Sequence, residues 1–144
     1  MKVGINGMGR IGRLALRAAF GAAERQADDP CAGNRLQVVH LSELKGGAAT
    51  TAHLLAFDTV QGKWRTPIAA EGEDRVRIGD KTLSFSSHAT PAEIPWGELG
   101  VDLVLECTGK FLTPETLQGH LDRGAQRVIV AAPVKTGGVL NVVV

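Results

Sequence analysis

The sequence has few of the features that mark specialised protein classes. Its two cysteines, Cys31 and Cys107, are too few for a disulfide framework or a cysteine-rich metal cluster. Charge nearly cancels, at +1 over 144 residues, which makes no case for a nucleic-acid surface or an acidic partner. No apolar run reaches the ~20 residues of a membrane span, and the first residues alternate like a strand rather than a signal peptide. The four histidines, His40, His53, His88 and His120, share no metal-ligand spacing; surface or helix-face positions are expected for them, and no metal. No internal repeat or low-complexity tract interrupts the chain. What remains is a soluble globular domain, 44% apolar and 22% charged, long enough for a real core and cytoplasmic by default.

The informative feature stands at the start. A strand, Lys2-Val3-Gly4-Ile5-Asn6, runs into Gly7-Met8-Gly9-Arg10-Ile11-Gly12, and a helical pattern (Leu14, Leu16, Ala18, Ala19) follows. This places a GxGxxG loop between a strand and a helix, where dinucleotide binding needs it. Gly7 allows a turn that a side chain would block, Gly9 lets the backbone approach a pyrophosphate, and Gly12 lets helix and strand pack closely. Free N–H groups at the helix start then face the anion. The plainer alternative is a glycine turn that merely joins two elements.

Strands and helices alternate along the rest of the chain. A helix is expected over roughly 10–24, then a polar surface loop through Arg25–Arg35, rich in Asp, Pro, Gly and Asn. Leu36–Leu41 reads as a strand, and Gly46–Ala56 as a helix offering Ala48, Ala52, Leu54 and Leu55 for burial. Arg75–Ile78 and Thr82–Phe85 flank Gly79-Asp80-Lys81 as a hairpin. Val101–Glu106 is a strand, Thr113 caps a helix with Pro114 in its first turn, and Arg127–Ala131 and Val139–Val144 read as two more strands. Such alternation predicts an α/β fold, Rossmann-like and doubly wound, with a mostly parallel sheet and helices on both faces.

A dinucleotide fold also needs a carboxylate after its second strand to accept ribose hydroxyls. Glu43, in Leu41-Ser42-Glu43, is the candidate, although it lies 31 positions beyond Gly12 where about 20 is usual. The polar loop absorbs the excess. A solvated carboxylate at a strand end is the alternative. A carboxylate here repels a 2′-phosphate and favours NAD over NADP, with Lys45 nearby to soften the preference. Cys107 follows a buried strand with no base beside it and reads as a small buried thiol, and Cys31 has no candidate base either. Trp64 and Trp96 read as packing residues beneath loops.

These residues carry a family resemblance. The segments 2–13 (KVGINGMGRIGR), 57–63 (FDTVQGK), 91–100 (PAEIPWGELG), 105–111 (LECTGKF) and 124–135 (GAQRVIVAAPVK) resemble, in order, the N-terminal half of glyceraldehyde-3-phosphate dehydrogenase. Segment 45–55 (KGGAATTAHLL) departs from the common glycolytic form and is more similar to the branch encoded beside arsenic-resistance genes.

The resemblance implies that the backbone N–H groups of Arg10 and Ile11 hold the pyrophosphate, with Asn6 shaping the loop. It gives Glu43, beside Ser42, the adenosine ribose, where the family usually has Asp. Thr108, Gly109 and Phe111 line the adenine and ribose side, and Ala131 stands near the nicotinamide where a Ser is common. Ala89 occupies a position that is often Arg, and Met8 one that is usually Phe. The family's activity oxidises a phosphorylated aldehyde with NAD and inorganic phosphate, or with arsenate in the arsenic-linked reading. Its thiohemiacetal chemistry uses a Cys and a His that have no counterpart in this sequence. Residues 1–144 are therefore expected to form an NAD-binding domain without its catalytic domain. It would be inactive alone and prone to self-association through uncovered apolar faces. A stand-alone NAD-binding or partner-binding module, and a fragment that folds without useful affinity, are the other readings.

Overall fold

The computed structural model describes residues 1–25, 36–135 and 137–142. Seven strands form one sheet in the order β5-β6-β7-β2-β1-β8-β9. They are β1 (Lys2–Asn6), β2 (Gln37–Ser42), β5 (Ile68–Ala70), β6 (Arg75–Ile78), β7 (Lys81–Ser86), β8 (Leu103–Glu106) and β9 (Arg127–Val130). A separate two-stranded ribbon pairs β3 (Phe57–Asp58) with β4 (Gly62–Lys63). Strands β7, β2, β1, β8 and β9 run parallel, while β5, β6 and β7 form an antiparallel meander at one side. The Rossmann-like, mostly parallel sheet expected from the sequence is therefore present.

Both faces of the sheet are covered, as buried parallel strands require. Helix α1 (Arg10–Arg25) and helix α2 (Gly47–Ala56) cover one face. There Leu16 of α1 and Ala48, Ala52 and Leu55 of α2 join Val3, Ile5, Leu41, Val76, Ile78 and Phe85 in one apolar cluster. Helix α2 buries Ala48, Thr51, Ala52 and Leu55, the stripe that a period of 3.6 selects. Leu54, expected to be buried, falls off that stripe and is 39% exposed. The other face holds Ile94, Trp96, Val101, Val104 and Ala125, beside helix α3 (Pro114–Asp122) and a 3-10 turn at Pro91–Glu93. Thr113 caps α3 through its hydroxyl, which accepts the Thr116 N–H, with Pro114 in the first turn as the sequence predicts.

Two expectations need correction. Residues 139–142 are not a strand, and Val143 and Val144 lie outside the described residues. The Asn141 side chain instead brackets the Val134 backbone, accepting its N–H at 3.1 Å and donating to its carbonyl at 3.0 Å. A side-chain amide thus takes up the groups that ladder pairing would have used. The histidines also divide otherwise than expected: His53 is exposed, but His40 and His120 are 2% and 0% exposed. Each has polar partners on both ring nitrogens, which is what makes burying an imidazole affordable. The expected loop at Arg25–Arg35, with Cys31, lies outside the described residues except for Arg25, which ends α1. Among the described residues, no helix is long and apolar enough to cross a membrane.

Candidate functional site

Strand register brings four carboxyl ends level. Asn6 of β1 lies opposite Ser42 of β2 and Glu106 of β8, and Ser42 lies opposite Ser86 of β7. The residues just beyond these positions, Gly7, Glu43 and Cys107-Thr108, therefore meet at one edge of the sheet. Strand β1 is also where the winding reverses, since its two neighbours are reached by connections to opposite sides, and ligands of open α/β sheets bind at such a point.

The glycine loop has the shape that the sequence predicts. Gly7 adopts φ 94°, and a Cβ there would come within 2.7 Å of the Thr108 nitrogen, so glycine is needed for the turn itself. At Gly12 a Cβ would collide with the Gly7 carbonyl oxygen, where α1 crosses β1. Gly9 differs from both. A Cβ at that position would meet nothing within 4 Å, so protein packing does not require glycine there, and Gly9 lines a cavity.

Around this loop is a cavity of about 150 Å³ lined by Asn6, Gly7, Gly9, Glu43, Thr108 and Phe111, joined by Leu44, His88, Ala89, Cys107 and Lys110. It is smaller than a whole-cofactor cleft, commonly ~300 Å³ or more. Six of the predicted site residues thus meet in one place. Arg10 and Ile11 open α1 on the exposed side of the loop. Gly12 and Ser42 are buried behind it, and the Ser42 hydroxyl has no hydrogen-bond partner among the described residues. Gly109 lies in the turn after β8 with φ 70°. Ala131 is not brought into this cavity; it lines a separate groove of about 1150 Å³ between β9, α3 and residues 138–142.

Glu43 has partners of its own within the chain. Its carboxylate accepts the Met8 N–H at 2.8 Å and the Lys45 N–H at 3.1 Å, tying the end of β2 to the glycine loop. The polar floor is built around Glu106, which is 1% exposed. One carboxylate oxygen accepts from the Asn6 amide at 2.6 Å and from His120 Nε2 at 3.0 Å; the other accepts from the Thr108 N–H at 2.7 Å and from the Thr108 hydroxyl. Asn6, which lines the cavity, is therefore held by a buried carboxylate. Sequence reasoning missed Glu106, His120 and His88. A carboxylate closing the apolar run Leu103-Val104-Leu105 was the available signal, because a buried charge demands partners.

Among the described residues, no side chain makes a hydrogen bond or ion pair with the Cys107 thiol. Burial and the neighbouring Glu106 charge push its thiol up to about 11, so it stays protonated at neutral pH and is a poor nucleophile.

Comparison with known proteins fits this geometry. Residues 1–114 match the family model described as glyceraldehyde 3-phosphate dehydrogenase, NAD binding domain. Glyceraldehyde-3-phosphate dehydrogenase 3 of Nostoc sp. is 53% identical over 143 residues, covering 99% of this chain and 39% of the relative. The plasmid-borne glyceraldehyde-3-phosphate dehydrogenase of Cupriavidus necator is 43% identical over 133 residues, covering 92% of this chain and 37% of that protein. Glyceraldehyde-3-phosphate dehydrogenase 1 of Streptomyces avermitilis is 44% identical over 133 residues, covering 92% and 36%. The chain spans less than two fifths of the length of these relatives.

Proposed function

Since this chain belongs to the family of glyceraldehyde 3-phosphate dehydrogenase NAD-binding domains, we propose that it supplies the cofactor half of an oxidoreductase. That enzyme would oxidise a phosphorylated aldehyde with NAD and inorganic phosphate or arsenate. The observation that carries this reading is the meeting of the glycine loop, Glu43 and the turn after β8 around one cavity at the carboxyl edge of the sheet. The residues fit NAD: Gly9 leaves the backbone open to a pyrophosphate, the first N–H groups of α1 at Arg10 and Ile11 offer it donors, and Glu43 offers ribose hydroxyls an acceptor. Bound NAD supplies the hydride acceptor. The protein's share is binding and orientation, since a protonated, half-buried Cys107 is unsuited to a covalent step. The chain alone is therefore inactive toward aldehydes. The arsenate arm rests on the resemblance of segment 45–55, which includes all of α2 but Ala56. Self-association through the β9 side, where Ile129, Leu140 and Val142 stand exposed, completes the reading.

Titration calorimetry with NAD and NADP, on the unaltered chain and on Glu43→Ala, tests it. NAD should bind more tightly than NADP, and Glu43→Ala should weaken NAD by about tenfold, the worth of a hydrogen bond to a charged group. NADP should lose less. Loosening of the loop through the lost Met8 contact would affect both cofactors alike, so the ratio isolates the ribose contact. No NAD binding at millimolar concentration, or a preference for NADP, would overturn the assignment.

A further inference from the structure

Behind the cavity wall runs a continuous chain of buried polar groups reaching from the second face of the sheet to the site. The Trp96 indole N–H donates to His120 Nδ1 at 2.9 Å, and His120 Nε2 lies 3.0 Å from Glu106. Glu106 in turn holds the Asn6 amide and both polar groups of Thr108. Trp96 and His120 are 0% exposed, Glu106 1% and Asn6 5%.

The donor and acceptor roles along this chain are forced. An indole N–H is only a donor, so His120 Nδ1 must carry a lone pair and the ring proton must sit on Nε2, facing Glu106. With that N–H supplied, the Glu106 carboxylate has a donor at each of its four acceptor positions. The Asn6 amide must then turn its NH₂ toward Glu106, which fixes where its oxygen points. Both residues oriented this way, Asn6 and Thr108, line the cavity, and His120 does not. An apolar pair in place of Trp96 and His120 would fill the same volume without the cost of burying polar groups. What the polar chain adds is a single orientation for the two residues at its far end.

We propose that His120 is a positioning residue for NAD, acting through Glu106 to orient Asn6 and Thr108, and that Trp96 holds it in the tautomer this requires. The inference rests on the reading that this cavity takes part of NAD.

The test uses the full chain with His120→Leu, His120→Gln and, as a packing control on the same helix, Leu117→Ala. NAD affinity is titrated at a temperature where circular dichroism shows every variant folded. His120→Leu, which removes a hydrogen bond to a buried charge, should raise Kd about tenfold. His120→Gln offers one donor and one acceptor and should stay within about threefold. Leu117→Ala, whose loss is apolar packing alone, should stay within about twofold. Equal affinity of the unaltered chain and His120→Leu, or a His120→Gln no better than His120→Leu, overturns the proposal. Should His120→Leu not fold, Trp96→Phe removes the indole donor while keeping an aromatic ring. Nitrogen NMR should then show His120 leaving its single tautomer, with NAD affinity falling; an unchanged tautomer or an unchanged affinity overturns the proposal. A chain that binds no NAD before any substitution would instead defeat the functional reading on which this one stands.

Discussion

Two glycines of one loop separate folding from binding at the scale of single residues. Gly12→Ala places a methyl group against the Gly7 carbonyl at the crossing of α1 and β1 and should cost ~1–3 kcal/mol, as overpacking a tight contact does. Gly9→Ala meets no protein atom, so its denaturation midpoint should stay within ~0.5 kcal/mol of the unaltered chain. Its NAD affinity should nevertheless fall if, as proposed, the pyrophosphate approaches the loop at this position. Urea unfolding and NAD titration of both variants check this; a Gly9→Ala that binds normally would mean the loop lies farther from the cofactor than the motif implies. The motif itself was legible from spacing, because Gly7 and Gly12 answer local backbone demands. Glu106 and His120 were not, because their partners are 14 positions apart from each other and about 100 from Asn6. Only the fold closes those distances.

Among the elements, the periodic ones were readable and the unpaired ones were not. Helices α1, α2 and α3 were legible from spacing and end signals, and strands β1, β2 and β8 from short apolar runs buried on both faces. The short strand β5 shows no such run in three residues and exists by pairing with β6, while residues 139–142 of the Val-rich tail have no ladder. That leaves β9 as one edge of the sheet. Ile129 is 55% exposed upon it, and Leu140 and Val142 are 86% and 69% exposed nearby. An edge strand beside exposed apolar groups is a template for association. Light scattering coupled to gel filtration should show mass rising with concentration in the micromolar range, and Ile129→Lys should suppress the rise. A monomer at high micromolar concentration would show that this edge is sufficiently protected.

At the scale of the whole molecule, stability should respond to mild acid through His40, buried in the central sheet. The Ser84 hydroxyl donates to the Val39 carbonyl, so Ser84 accepts from His40 Nδ1 at 2.7 Å, and Nε2 is left to accept from Ser86 at 2.9 Å. Burial, reinforced by the nearby His88, lowers the ring from 6.5 to about 4. The unfolded chain therefore binds the proton first, and stability should decline as pH falls from 6.5 toward 4. The loss reaches about 3 kcal/mol at the lower end and is absent above pH 7. Urea midpoints across this range check it, and His40→Gln should flatten the slope within that window; an unchanged slope would assign the acid sensitivity to other groups.

The two tryptophans have a consequence of another kind. Trp64 packs edge-on to Phe20 with the Arg17 guanidinium over its ring, on the α1 and α2 face of the sheet. Trp96 lies in the opposite face, between His40 and His120. Each layer thus contains its own fluorophore, and with no tyrosine in the sequence nothing else emits strongly in the near ultraviolet. Single-tryptophan versions of the chain would report the two layers separately, and their traces would superimpose only if both layers melt as one cooperative unit.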